Sequence, residues 1–77
     1  MGWRYEDDLD YYQAAHRLRK RHGRLWLILW GPASRAYFAF FQGQAHVPPI
    51  VAATSEELHA RIVRTERELA HPPAARS

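Results

Sequence analysis

The sequence predicts a small α+β domain of order α-β-β-β-α: a three-stranded antiparallel sheet with two helices on one face. Three observations carry this expectation. Two strongly apolar runs, Leu25 to Trp30 and Ala36 to Phe41, are separated only by the turn Gly31-Pro32-Ala33-Ser34-Arg35. Segments with helical hydrophobic spacing precede and follow that pair. The chain has 77 residues and no cysteine, so it forms one domain whose stability comes from packing or assembly rather than disulfides.

In the first segment, from about Glu6 to His22, Tyr11, Ala14, Ala15, Leu18 and His22 share one helical face, which Leu9 and Tyr12 widen. Asp7, Asp8 and Asp10 stand near its start and Arg19, Lys20 and Arg21 near its end, the polarity that suits the helix dipole. Gly23 is the expected stop. The two apolar runs then read as strands joined in a hairpin. Pairing Trp30 near Ala36 puts Trp26, Ile28, Trp30, Phe38 and Phe40 on one aromatic face. Leu25, Leu27, Leu29, Tyr37, Ala39 and Phe41 fall on the other, and a slip of one residue would mix the two sets.

Gln42-Gly43-Gln44 reads as a turn, and Pro48-Pro49 confines any third strand to an edge at Ile50-Val51-Ala52. Thr54 and Glu57 have capping-box spacing and open a second helix from Ser55 to about Ala70, with Leu58, Ile62, Val63 and Leu69 on its apolar face. Pro72-Pro73 ends it. The ordered core is expected over about residues 5–71, with 72–77 a flexible tail. The aliphatic sheet face is the expected seat of the helices, which leaves the aromatic face for a partner.

This element order is that of the double-stranded-RNA-binding domain, and Gly31-Pro32-Ala33-Ser34-Arg35-Ala36-Tyr37-Phe38 resembles that family's Gly-Pro-x-His-x-x-x-Phe hairpin, with Ser34 in place of histidine. Where that family carries a lysine-rich phosphate-binding motif at the start of its second helix, this chain has Ser55-Glu56-Glu57, which repels RNA phosphate. The basic helix end, the Trp-x-Ile-x-Trp strand, the arginine-containing turn, the aromatic strand and Thr54-Ser55-Glu56-Glu57-Leu58 are also similar to short orphan proteins common in actinobacteria. That second resemblance implies a shape and a source rather than an activity.

The charge of +3 comes from ten arginines and the single Lys20. Glu6, Asp7, Asp8 and Asp10 stand where an export signal would be basic and then apolar, and the run at Leu25 is far shorter than the roughly 20 residues that span a bilayer. A cytoplasmic protein without membrane contact is therefore expected.

Two surfaces are candidates for function. The aromatic set Trp26, Ile28, Trp30, Phe38 and Phe40 would serve a homodimer or another protein partner. Base-stacking platforms alternate aromatics with cations, and neither strand contains lysine or arginine. The alternative is a nucleic-acid-binding accessory role for Arg17, Lys20, Arg21 and Arg24 at the first helix's end together with Arg35; the plainer reading of that cluster is a solvated helix end. The five histidines contain no His-x-x-x-His pair, and the one Glu56-x-x-His59 step lacks the second copy that di-iron bundles need, so no metal is expected. Ser34 and Ser55 suit a turn and a helix start. With no glycine-rich phosphate loop or nucleophile elbow, neither an enzyme nor a cofactor is expected.

Overall fold

A computed structural model describes residues 5–70. It contains a 3₁₀ turn at Tyr5–Asp8 followed by α1 (Leu9–His22), β1 (Trp26–Gly31), β2 (Ala36–Phe41), β3 (Ile50–Ala52) and α2 (Ser55–Ala70). The strands form one antiparallel sheet in the order β1-β2-β3. The predicted α-β-β-β-α architecture is thus the one observed. The expected tail and His71 lie outside the described residues.

The first helix begins later than its spacing predicts, at Leu9 rather than Glu6. Asp8 occupies the N-cap position without making a side-chain cap bond. Its carboxylate is instead drawn into the tertiary structure, as described below. At the other end the helix stops at His22, and Gly23 donates its N–H to the Arg19 carbonyl. Gly23 has φ −66°, so it is not the left-handed cap that its position predicts. The glycine is required by space, since a Cβ there would collide with the Arg19 carbonyl oxygen.

The second helix opens at its predicted cap: the Glu57 N–H donates to Thr54 Oγ1 at 3.0 Å, and the Leu58 N–H to the Thr54 carbonyl at 3.0 Å. Only half of the capping box forms, for the Glu57 carboxylate faces Arg61 at 3.9 Å.

Register decides which residues form the core. Gly31 joins the ladder opposite Ala36, so Trp30 pairs with Tyr37, Ile28 with Ala39 and Trp26 with Phe41. This is one residue away from the pairing expected from the sequence, and it corrects the expected faces. Trp26, Ile28 and Trp30 share the inner face with Tyr37, Ala39, Ile50 and Ala52, all buried against Ala14, Ala15 and Leu18 of α1 and Leu58 and Ile62 of α2. The helices therefore cover the tryptophan face, not the aliphatic one. Phe38 and Phe40 turn outward beside Leu27, Leu29 and Val51. The physical reason lies in the indole N–H groups, which need acceptors when buried and find them only on the helical side. Gly31 fits the same register: a Cβ there would meet the Phe38 ring at 2.7 Å.

Candidate interaction surfaces

The outer face of the sheet is apolar throughout. Leu27 lies opposite Phe40 and Leu29 opposite Phe38, Val51 flanks Phe38 from β3, and Leu25 extends the row before β1. The three leucines are each 43% exposed, Phe40 36% and Val51 47%, and none of these positions carries a polar side chain. Phe38 and Phe40 stack with centroids 6.3 Å apart and planes only 4° from parallel. Of the five residues predicted as the interface, Phe38 and Phe40 lie here, whereas Trp26, Ile28 and Trp30 are sealed within the chain.

The sheet's two edges are treated differently from its open face. Leu25 directs its carbonyl toward β2, where it accepts from the Gln42 N–H at 2.7 Å, so by strand alternation the Ile28 carbonyl points away from β2 to the free edge. Arg19 reaches down from α1 and donates to that carbonyl at 3.1 Å. On the opposite edge Arg61 of α2 donates to the Val51 carbonyl at 2.6 Å. Each edge thus has an arginine seated on one of its unpaired acceptors, an arrangement that blunts strand addition.

Beneath the sheet, a clasp joins the chain's start to the hairpin. Asp8 is 2% exposed; it accepts from Trp30 Nε1 at 2.9 Å and from Arg35 Nη1 at 2.8 and 2.7 Å. Tyr11 stacks on Trp30 at 4.2 Å with planes 7° apart, and the Arg35 guanidinium sits 5.2 Å from both ring centroids. Arg35 takes a left-handed φ of 54° to reach this position. The Asp8 hydrogen bond holds its guanidinium pKa above the ordinary value.

This clasp separates the residues of the alternative nucleic-acid set. Arg35 is committed to Asp8 beside the first turn of α1, whereas Arg17, Lys20, Arg21 and Arg24 gather at the far end of that helix, on the order of 20 Å away for 14 residues at 1.5 Å each. Those four cations make no hydrogen bond or ion pair among the described residues.

Beside them α1 meets α2 through two histidines. His22 Nε2 lies 2.9 Å from His59 Nδ1, so one ring donates an N–H to the other's lone pair. Burial lowers the His22 pKa, and His59 and Arg21 lower it further while Glu66 opposes them. Glu66 is itself held by Trp26 Nε1 at 2.8 Å. Among the described residues, no group of three or more His, Asp or Glu side chains is arranged to hold a metal, and no helix is long and apolar enough to cross a membrane.

Asp8, the histidine pair and the two edge arginines are absent from the sequence-derived candidates, and Trp30 and Arg35 appear there only in other roles. A partial signal existed for the clasp, since two tryptophans on a buried face require two acceptors. The His22–His59 pairing, 37 residues apart, has no local signature. No protein-family profile, curated protein or solved structure matches this chain.

Proposed function

We propose that this chain is a small non-catalytic homodimeric module, assembled through the outer face of its sheet. The observation that carries the reading is the continuous apolar surface of Leu25, Leu27, Leu29, Phe38, Phe40 and Val51. A surface without charge has no means of steering a charged partner, but it matches itself under a two-fold axis, as isologous dimers require. Arg19 and Arg61 on the edge carbonyls favour face packing over strand addition. The exposed apolar side chains amount to something on the order of 400 Å² per copy, below the ~800 Å² of a standard interface, so a weak, concentration-dependent dimer is expected rather than a permanent one. The sheets would stack about 10 Å apart, giving four layers with helices outside. The same reading takes the protein to be cytoplasmic, since a cysteine-free chain held by packing makes no use of an oxidising compartment.

Light scattering across concentration tests the assembly. The expected result is a species of about twice the 9.0 kDa chain mass, its midpoint scarcely moved by added salt. An apolar interface has few ions to release. Dissociation that sharpens steeply with salt would indicate a charged interface and overturn the assignment to this face.

A further inference from the structure

We propose that the groove where the end of α1 meets α2 binds a compact tetrahedral oxyanion, the phosphate group of a small ligand or of a nucleic-acid backbone. The groove, with a volume of about 330 Å³, is lined by Arg21, His22, Arg24, Leu25 and Glu66; His59, in hydrogen-bond contact with His22, lines the neighbouring hollow, which shares Arg21 with the groove.

The disposition of the arginines carries the inference. Arg19, Arg35, Arg61 and Arg64 each have a protein acceptor: a strand carbonyl, Asp8, or a carboxylate one helical turn away. Arg21 and Arg24 have none, nor do Arg17 and Lys20 on the same helix end or Arg67 on α2; Arg21 and Arg24 differ from these in sharing one groove with His22. The helix dipole accounts for little of this charge. It amounts to about half an elementary charge at the C-terminus, which Arg19 of the last turn alone more than balances. The one carboxylate in the groove, Glu66, is held by the indole of Trp26 and opposes only part of the cationic charge. Arginine forks offer paired donors that fit phosphate oxygens.

The histidines give the site a signature that an ordinary basic patch lacks. At 2.9 Å the pair shares a single hydrogen bond, so it accommodates one added proton more readily than two. The charged groups around it are Arg17 and Arg21 on α1, Arg24 just beyond, and Glu56 and Glu66 on α2, Glu56 lying on the His59 side and Glu66 on the His22 side. An anion between Arg21 and Arg24 favours the protonated pair, so binding takes up a proton and weakens as the pH rises. Its charge-assisted bonds to both arginines distinguish it from diffuse screening.

The test is a nuclear magnetic resonance titration of the full chain, following the ring protons of His22 and His59. Sulfate serves as the probe because its charge does not change between about pH 6 and about pH 8, so that any pH dependence belongs to the protein. Saturable shifts at both histidines are expected, with tighter binding at the lower pH. Arg21→Gln should weaken binding about tenfold, the loss of one charge-assisted contact. Arg67→Gln, which removes an equal charge from α2 outside the groove, should leave it nearly unchanged. His59→Gln should flatten the pH dependence while retaining the arginine contribution. Pyrophosphate and a short single-stranded oligonucleotide then separate the two sources: saturation by pyrophosphate alone identifies a small phosphorylated ligand, and preference for the oligonucleotide with a steep salt slope identifies a nucleic-acid backbone. Absence of a saturable shift, or equal weakening by Arg67→Gln and Arg21→Gln, would overturn the proposal.

Discussion

The two faces of the sheet are built from the same residue classes yet obey different rules. On the inner face both tryptophans carry a polar N–H, and each is answered: Trp26 by Glu66 and Trp30 by Asp8. Those bonds fix where α2 and the 3₁₀ turn sit, so the inner face has one partner and one geometry. The outer face of leucine, phenylalanine and valine has no donor or acceptor to satisfy. Any apolar surface of suitable shape can cover it, and a second copy is the simplest one. Polar groups on an apolar face thus determine whether the face specifies a fold or offers an interface.

Neighbouring positions in β2 test this contrast most severely. Ala39 is completely buried and Phe40 points outward, so the same glutamate has opposite consequences at adjacent residues. Ala39→Glu places an unpaired charge in the core at a cost of several kcal/mol, comparable to the whole stability of a domain of this size. Circular dichroism should report an unfolded chain. A folded Ala39→Glu variant would mean that the inner face is less tightly closed than its burial indicates.

A smaller effect is expected at the clasp. Asp8→Ala leaves the buried Trp30 N–H without its acceptor and Arg35 without its counter-ion, a loss of about 2–3 kcal/mol. Thermal melting should fall by roughly 10–15 °C for a chain of this length, with the helix and sheet retained. An unchanged melting temperature would reduce the clasp to an incidental surface contact.

The elements themselves were legible in the sequence; their faces were not. Helical spacing, the Gly31-Pro32 turn, Pro48-Pro49 and the Thr54 cap located the second helix and all three strands to within a residue, and the first helix apart from a start three residues late, because these signals are local. Register is not local. With apolar residues at every position of both strands there is no alternation to fix it, and the turn length differs by one residue between the two pairings. Asp8 illustrates the limit: its sequence context favours a helix start, while the energetically decisive contact is a tryptophan 22 residues away. The basic cluster on α1 was visible as a charge pattern, but its separation from Arg35 and its contact with His59 depend on how the helices pack.

The pH dependence of stability is a finer probe of the helix junction. The His22 pKa in the folded chain lies below its ordinary value of 6.5, chiefly through burial. Above 6.5 both the folded and the unfolded chain hold this ring neutral. Below it the unfolded chain binds the proton first, so stability declines as the pH falls until the folded ring is protonated too. Denaturation between about pH 7.5 and about pH 5 should record this decline, and His22→Gln should shallow it. An equal slope in both proteins would assign the effect to other groups.

Phe40→Glu addresses the central claim that the outer face is where two copies meet. Sedimentation of this variant beside the wild type, at matched concentrations and with helical circular dichroism on the same samples, separates assembly from folding. The expected result is a folded variant at the mass of one chain, 9.0 kDa, where the wild type sediments at about twice that mass. A wild type that remains monomeric at every concentration, or a folded Phe40→Glu variant that still pairs, would contradict it.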